Sequence, residues 1–311
     1  MTAHRLAPYS TLSSFALLAL LTSAGAATLR AQTLDTVRIR TTDLGGSVYL
    51  LHGAGGNVGV FAGSSAVLLV DDQFAPLADR ILAAVGELTD APVRYVINTH
   101  WHPDHVGGNA PMARVGATLI SQAGTARRMA APQYTEFFGR TTPAATDHAR
   151  PAVTFVDSIS IRVDGETITA FHVDSAHTDG DAVVRFARAN VVQMGDLYFS
   201  AQYPFIDLSS GGTVEGMIRA ADAVLALSDT ATRVIPGHGP VATRAQLAAY
   251  RAMLAGVRDS VARLVAGGAG LDAVVAARPA KAFDAAWGNG WMKSDQFIRI
   301  VYQDQVRQTS P

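Results

Sequence analysis

The chain has 311 residues, a length that suits one large domain or two. Hydrophobic residues make up 49% of the chain and charged residues 16%, which supports a buried core, and the net charge of −1 gives no whole-chain argument for nucleic acid or an anionic membrane as a partner. The chain contains no cysteine, so disulfides, thiolate nucleophiles and thiolate metal ligands are excluded.

Residues 1–32 have the features of a secretory signal peptide. A weakly basic start precedes the apolar residues 15–21, and small residues near Ala26 or Ala31 offer a cleavage site. The apolar run is far shorter than the roughly 20 residues that cross a bilayer, which disfavours a membrane anchor. We therefore expect an exported protein, periplasmic or secreted, with no stable membrane anchor after cleavage.

The first part of the mature chain alternates strands with one helix. Residues 36–39 and 48–51 are predicted strands, and the glycine-rich residues 53–57 are interpreted as a hairpin connection, with a mobile flap as the alternative. The next elements are a strand at 66–70, a helix at 76–88 and a strand at 93–98. This strand, helix, strand unit brings the residues that follow it to the carboxyl edge of a sheet, where ligands usually bind.

Four residues that commonly bind metals come directly after this strand: His100, His102, Asp104 and His105. If the backbone stays extended, the first two histidines project to the same side, because side chains alternate with period two. Pro103 should end the strand and redirect the other two residues to a neighbouring point. This spacing favours two ions rather than one, with Trp101 facing away from them.

The second half of the chain is predicted as further strands and helices around long connections. The predicted elements are a strand at 117–121, a helix at 123–131, an irregular loop at 133–151, a hairpin of 158–163 and 167–173, a helix capped by Thr213, and a helix at 246–265. Residues 33–311 are expected to form a single domain with a helical C-terminal extension from about residue 244.

Three later residues share one context, in which a potential ligand with a glycine nearby comes just after a short apolar strand. They are His177 in Ala-His-Thr-Asp-Gly-Asp, Asp196 in Met-Gly-Asp and His238 in Pro-Gly-His-Gly. Each can reach the same sheet edge as the first four residues. The seven side chains together are enough to hold two ions.

In this order, the HxHxDH segment and the three later motifs resemble the metallo-β-lactamase superfamily over residues 36 to 245. The resemblance implies an α/β layered fold, an αββα sandwich with the site at one edge of its two sheets. It assigns His100, His102 and His177 to a first zinc ion, and three further residues to a second: Asp104, His105 and His238. It also implies that Asp196 and a water molecule bridge the ions, and that Asp104 orients that water or shuttles its proton.

Some positions depart from relatives of this type. Ala176 stands where many of them have glycine. Asp196 stands where the best-known β-lactamases have cysteine or serine, and is more typical of the thioesterase, lactonase and general hydrolase branches. His102 replaces the carboxylate of the flavodiiron oxidoreductases, which disfavours redox chemistry on iron.

The resemblance implies a zinc-dependent hydrolase that opens a cyclic or activated acyl bond of a small molecule with a metal-bound hydroxide, and the N-terminal segment indicates that this hydrolase is exported. The bond is a β-lactam, lactone, ester or thioester. One alternative is phosphodiester cleavage, although no basic patch supports nucleic acid as a partner. Another is a non-enzymatic periplasmic protein that binds metal or substrate. We expect two zinc ions per chain, with iron and manganese as alternative metals. The sequence does not predict the oligomeric state.

Three further residues are candidates for supporting the ligands. Asp181 is expected either to hydrogen-bond a ligand histidine or to cap its loop, and Asp71 is a similar candidate. Tyr198 is expected either to line the pocket or to pack in the core.

Overall fold

The computed structural model describes residues 1–2 and 34–309, so nearly all of the predicted signal peptide lies outside the described residues. The chain divides into two compact units, Met1–Val37 and Arg38–Pro311. In the first unit, residues 34–36 form a helical turn. Within the described ranges, no helix is both long and apolar enough to cross a membrane. The features below belong to the second unit.

The first sheet has seven strands in the spatial order β1-β2-β3-β4-β5-β6-β9. The first four strands form an antiparallel meander, and β4, β5, β6 and β9 pair in parallel. The bounds are β1 (Arg40–Asp43), β2 (Val48–His52), β3 (Val58–Ala62), β4 (Val67–Val70), β5 (Val93–Asn98), β6 (Thr118–Gln122) and β9 (Val153–Phe155).

The second sheet has six strands in chain order, and only one of its pairs, β13 with β14, is parallel. Its bounds are β10 (Ser158–Val163), β11 (Glu166–Val173), β12 (Asp181–Phe186), β13 (Val191–Gln193), β14 (Arg233–Ile235) and β15 (Ala242–Thr243). β10 and β11 form the predicted hairpin. Its turn residues, Asp164 and Gly165, have φ values of 48° and 82°, as a two-residue hairpin turn requires.

The helices cover the outer faces of the two sheets. Their bounds are α1 (Ala78–Gly86), α2 (Pro103–Val106), α3 (Asn109–Arg114), α4 (Ala123–Met129), α5 (Val214–Leu227), α6 (Arg244–Ala266), α7 (Leu271–Ala276), α8 (Asp284–Trp287) and α9 (Ser294–Thr309). As predicted, Thr213 caps α5 by accepting a hydrogen bond from the N–H of Gly216 at 3.0 Å.

Two hydrophobic cores hold the layers together. Between the sheets, Leu68 and Ile97 of the first sheet pack with Val184 and Phe186 of the second. On the far side of the second sheet, a larger core joins Val183 and its neighbours to the helices from α5 onward. Full burial of each such side chain stabilises the fold by about 1.5–3 kcal/mol. The predicted α/β layered fold is confirmed.

Two elements differ from the sequence prediction. The first strand lies at Arg40–Asp43 rather than 36–39, and its four residues are all exposed, so no apolar alternation marks it. The predicted irregular loop at 133–151 contains a small hairpin of β7 (Gln133–Thr135) and β8 (Arg140–Thr142), which turns at Gly139 with φ 59°. Backbone pairing between largely exposed residues defines this hairpin, and such pairing leaves little hydrophobic pattern to detect.

The C-terminal helix α9 is fixed to α5 through a buried carboxylate. Asp304 accepts a hydrogen bond from the backbone N–H of Val214, the first residue of α5, at 3.0 Å. Helix N-termini have N–H groups without helical partners, and a negative charge there is favourable.

We expect Asp304→Ala to lower the free energy of unfolding by about 1–3 kcal/mol, because the buried N–H of Val214 would lose its acceptor. Chemical denaturation of the full chain measures this change. Asp295→Ala removes an exposed carboxylate from the first turn of the same helix and should cost less than about 1 kcal/mol. Equal losses for the two variants would contradict the capping role.

Candidate metal centre

The HxHxDH segment changes from extended chain to helix at its proline. His102 has φ −65° and ψ 144°, and α2 begins at the next residue, Pro103. Proline suits a first helical position, because its missing N–H would have no helical partner there. The change of direction separates the segment's ligands into two groups, as the spacing predicted. His100 and His102 belong to the first group, and Asp104 and His105 to the second.

The first group contains three histidines and one aspartate: His100, His102, His177 and Asp196. One potential ligand atom from each lies within 4.8 Å of the others, and all four residues are buried. Nδ1 of His102 is 2.9 Å from Nε2 of His177. Oδ2 of Asp196 is 3.8 Å from Nε2 of His100 and 3.6 Å from Nε2 of His177.

The second group contains Asp104, His105 and His238, whose ligand atoms also lie within 4.8 Å of one another. Oδ2 of Asp104 is 3.2 Å from Nε2 of His238 and 3.7 Å from Nε2 of His105. The two imidazole nitrogens are 3.4 Å apart. The structure thus brings together residues that are 133 positions apart in the chain.

Asp196 lies between the two groups. Its Oδ2 faces the first group, while its Oδ1 is 3.0 Å from Nε2 of His105 and 3.4 Å from Nε2 of His238. The loop that carries His238 passes close by, and a Cβ on Gly237 would lie 2.0 Å from Oδ1 of Asp196. Glycine is therefore the residue that this approach permits.

The donor atoms fit a divalent metal. Nε2 of His100 is buried and has no hydrogen-bond partner. A buried polar atom normally has such a partner, so this nitrogen is suited to bind a cation. Imidazole nitrogens and carboxylate oxygens are the ligands that zinc accepts when no thiolate is present.

Asp71, one of the predicted supporting residues, holds a site histidine. Its Oδ2 is 2.8 Å from Nδ1 of His105, and it also accepts hydrogen bonds from the backbone N–H and the hydroxyl of Thr99 at 2.7 and 2.8 Å. The hydroxyl of Thr99 lies 3.0 Å from Nδ1 of His100. A carboxylate in this position fixes the ring so that the other nitrogen faces the ligand group.

Two supporting contacts were not predicted from the sequence. Oδ2 of Asp207 is 3.1 Å from Nε2 of His102, and the carbonyl oxygen of Phe205 is 2.9 Å from Nδ1 of His177. Asp207 also accepts a hydrogen bond from the hydroxyl of Ser210 at 2.7 Å. The only local signal for Asp207 is a lone carboxylate within the apolar residues 203–208, and a backbone carbonyl leaves no signal at all.

The other two supporting candidates do not contact the ligand rings. Asp181 accepts hydrogen bonds from the backbone N–H groups of His177 and Thr178 at 2.6 and 2.8 Å, so it caps the loop, as the alternative interpretation held. Tyr198 is buried in the core with its ring 4.8 Å from that of Tyr250, which corresponds to the packing alternative.

The glycine-rich connection between β2 and β3 packs directly on the second group. The N–H of Gly56 donates to the carbonyl of Asp104 at 3.0 Å. A Cβ on Gly56 would lie 2.1 Å from the imidazole of His105, so no side chain fits there. The hairpin interpretation agrees with the structure, in which this turn forms one wall of the site.

Asn57 joins that hairpin to the loop that carries His238. Its backbone N–H donates to the carbonyl of Gly237 at 2.7 Å, and its side-chain amide donates to the carbonyls of Pro236 and Gly239, both at 2.9 Å. Asn57 is buried, so its loss would leave these carbonyls without donors. Asn57 therefore positions His238, and it does not stand in a sequence pattern typical of metal ligands.

The site opens on the side of the second group. The side chains of Asp104 and His238 are 28% and 23% exposed, whereas those of His105 and Asp196 are 0% and 6% exposed. A small molecule or water therefore has access to Asp104 and His238. Structural zinc sites are usually closed, and catalytic sites keep one side open.

The sequence model that describes the metallo-beta-lactamase superfamily matches residues 45–239 of the chain. The chain belongs to the metallo-β-lactamase superfamily. The matched range contains all seven ligand-type residues, so the predicted family is confirmed. Members of the superfamily are mostly hydrolases, and the candidate His and Asp site agrees with divalent metal binding.

Two superfamily relatives show the extent of the sequence similarity. Lactamase-like protein aptB of Emericella nidulans is 26% identical over 182 residues, which cover 58% of this chain and 50% of that protein. Metallo-beta-lactamase type 2 of Bacteroides fragilis is 24% identical over 188 residues, which cover 57% of this chain and 69% of that protein. The match therefore spans only half the length of the Emericella relative.

Solved structures share the superfamily fold. The metallo-beta-lactamase from Pontibacter korlensis has a TM-score of 0.57 at 18% identity, covering 70% of this chain and 99% of that chain. The stereoselective inverting sec-alkylsulfatase Pisa1 from Pseudomonas sp. has a TM-score of 0.61 at 18% identity, covering 88% of this chain and 51% of that chain. At these identities the likeness concerns the fold.

We expect Asp207→Asn to weaken metal binding by about 10- to 100-fold, because the amide removes the charge that orients His102 while nearly preserving shape. Competition with a chromophoric chelator measures the affinity. Asp179→Asn is a matched control, since the Asp179 carboxylate pairs with Arg128 rather than with a ligand histidine. Equal affinities for Asp207→Asn and the unmodified chain would contradict the role of Asp207.

We expect metal binding at the second group to weaken on acidification before binding at the first. Burial alone would lower the pKa of His238, but the charges of Asp196 and Asp104 raise it to about 9. An ion must therefore displace a proton from His238 below that pH, and its affinity falls as pH falls. Burial lowers the pKa of His177 to about 4, so protons compete for this histidine of the first group only in stronger acid. Zinc content after equilibrium dialysis at pH 9, 7.5, 6 and 4 should fall first from two ions per chain to one, and the remaining ion should be lost only at the most acidic pH. Parallel loss of both ions would contradict the assignment of His238 to the more pH-sensitive ion.

Proposed function

We propose that the chain is a zinc-dependent hydrolase that holds two zinc ions and opens a cyclic or activated acyl bond. The bond is a β-lactam, lactone, ester or thioester. The position of Asp196 carries the proposal, because its two oxygens face the two ligand groups separately. A carboxylate shared in this way suits a two-metal site. Iron and manganese accept the same donors, so the bound metal must be measured.

When bound, the zinc ions would acidify a water molecule to a pKa near 7 and polarise the carbonyl group of the substrate. The chain holds the ligands ready for that chemistry. Asp71 contacts Nδ1 of His105, and Asp207 contacts Nε2 of His102. In each histidine the second ring nitrogen is therefore directed at the ligand group. The ligands therefore need little rearrangement when the ions bind.

Asp104 is suited to orient a water molecule. Burial alone would raise its pKa, but the charge of His105 and the hydrogen bond with His238 hold it well below its usual range. The carboxylate is therefore ionised at neutral pH, and it is partly exposed on the open side of the site. We assign it the role of orienting the attacking water by accepting a hydrogen bond from it. In the overall reaction water adds across the acyl bond, with the hydroxyl on the carbonyl carbon and the proton on the leaving group.

We also propose that the protein is exported and acts on a small molecule. The support is the N-terminal segment, with its apolar residues 15–21 followed by small residues, and the absence of a strong net charge. Periplasmic exposure favours β-lactams and other small amphiphiles over cytosolic thioesters.

The test of this function combines metal analysis with a substrate panel. The panel contains a chromogenic cephalosporin, a lactone, an aryl ester, a thioester, a phosphodiester and a secondary alkyl sulfate. We expect zinc-loaded protein to hydrolyse at least one acyl substrate, with activity lost in EDTA and restored by zinc. Turnover of only the phosphodiester or only the sulfate would contradict the assignment to acyl substrates and would identify the protein as a hydrolase of that other ester. Tight binding of one compound without any turnover would favour a binding protein.

A variant of Asp104 tests the mechanism on whichever acyl substrate is hydrolysed. We expect Asp104→Ala to lower kcat by about 10²- to 10⁴-fold while the fold is retained, because the attacking water loses the carboxylate that orients it and the second ion loses a ligand. Asp147→Ala removes an 88% exposed carboxylate and serves as the control. Unchanged activity in Asp104→Ala would contradict the assigned role.

A further inference from the structure

Four aromatic side chains form a cluster beside the metal centre: Phe137, Phe138, Phe205 and Trp291. We call this cluster the aromatic wall. The ring of Phe205 lies at its base, 5.1 Å from the rings of both Phe137 and Phe138 and 6.4 Å from Trp291. Phe138 and Trp291 stack at 6.1 Å with 26° between their planes.

The aromatic wall is continuous with the first ligand group. The ring of Phe205 stacks on His102 at 5.9 Å with 28° between the planes, and it lies 5.8 Å from the ring of His177. The backbone carbonyl of the same residue fixes Nδ1 of His177. A molecule bound against Phe205 is therefore separated from the first ligand group by a single aromatic ring.

The upper part of the wall faces solvent. Phe137, Phe138 and Trp291 are 37%, 43% and 47% exposed, although they are large and apolar. Large apolar side chains that are exposed next to one another often mark a binding site. Its position next to the ligand groups indicates that the substrate is what it binds.

A cavity of about 240 Å³ adjoins the base of the wall. Phe137 and Phe205 line it together with Ile206, Leu208 and Ile300. Whole ligand pockets usually measure about 300–1,000 Å³, so this cavity suits one substituent rather than an entire substrate.

The charged groups around the cavity already have partners. Glu136 pairs with Arg307 at 3.4 Å, Arg299 lies 3.7 Å from Asp272, and the carboxylate of Asp207 binds His102 and Ser210. A charged substituent would have to displace one of these contacts. An uncharged apolar substituent would leave these contacts in place and would remove ring surface from water.

The wall is assembled from three separate parts of the chain. Phe137 and Phe138 lie in the turn between β7 and β8, Phe205 lies between β13 and α5, and Trp291 belongs to the C-terminal region. That region lies beyond residue 239, where the superfamily match ends. The wall is thus built partly from residues outside the segment that defines the superfamily.

We propose that the aromatic wall and its cavity bind an uncharged alkyl or aryl substituent of the substrate, while the bond to be hydrolysed lies at the two ligand groups. The inference rests on the proposed function, because it describes the specificity of that site. Among acyl substrates, the aromatic wall would favour those that carry an apolar group close to the reactive carbonyl.

The first experiment compares substrates that differ only in the apolar group. Zinc-loaded protein is assayed with γ-lactones that carry a methyl or a pentyl side chain, and with p-nitrophenyl acetate and hexanoate. We expect kcat/KM to be about tenfold or more higher for the longer member of each hydrolysed pair. Equal kcat/KM values would overturn the inference and leave the hydrolase function standing.

Variants of the wall test where that preference arises. Phe138→Ala and Trp291→Ala should each remove most of the preference by raising KM for the longer substrate, with little change for the shorter one. Tyr134→Ala is the matched control, because Tyr134 is 58% exposed on the same hairpin and belongs to none of the wall's ring contacts. A preference that survives in both wall variants would overturn the inference.

A binding probe without a scissile bond separates the inference from the proposed function. Calorimetric titration with 4-phenyl-1-butanol should show binding to the unmodified chain and to Tyr134→Ala, and binding at least about tenfold weaker to Trp291→Ala. Binding of this kind without turnover of any panel substrate would support the wall and overturn the hydrolase. Binding that is equal in all three proteins would overturn the wall, whatever the catalytic result.

Discussion

The carboxylate of Asp196 is the contact on which the arrangement of the site depends. It approaches three histidines from different parts of the chain within 3.6 Å: His105 from α2, which follows strand β5 of the first sheet, and His177 and His238 from loops of the second sheet. The two sheets must therefore meet with their loop-bearing edges aligned, and the core between the sheets fixes that alignment. Gly56 and Gly237 permit the close approach, since both positions lack room for a side chain.

The electrostatics of the site favour a bound cation. Seven potential ligands converge in a space that is largely closed to water, and burying ionisable groups is costly unless they are paired. In the protein alone, protons shared between histidines and carboxylates offset part of this cost, as the raised pKa of His238 and the lowered pKa of Asp104 show. Cations can take over that compensation, which couples metal binding to proton release and to the stability of the fold.

The ligand residues and the local geometry of the site could be predicted from sequence, whereas the long-range contacts of the residues that position the ligands largely could not. The alternation of His100 and His102, the break at Pro103 and the cap at Thr213 depend on neighbouring residues, and local geometry defines them. The contact of Asp207 with His102 spans 105 positions, and the contact of Asn57 with Pro236 spans 179 positions. Neither Asp207 nor Asn57 stands in a recognisable ligand pattern. The hairpin that carries Phe137 and Phe138 was missed as well, because its strands are short and largely exposed. The superfamily signature thus identified the metal ligands, while the residues that we propose to determine substrate specificity could be recognised only in the folded structure.

The separation of 133 residues between His105 and His238 has a consequence for folding in a chain without cysteine. A cation held by both histidines would join these distant segments only in the folded chain, because the ligands do not meet once the chain unfolds. The metal centre would then act as a reversible cross-link between the two halves of the sandwich. Since the ion would bind the folded chain and leave the unfolded one, the free energy of metal binding would add to the stability of the native protein.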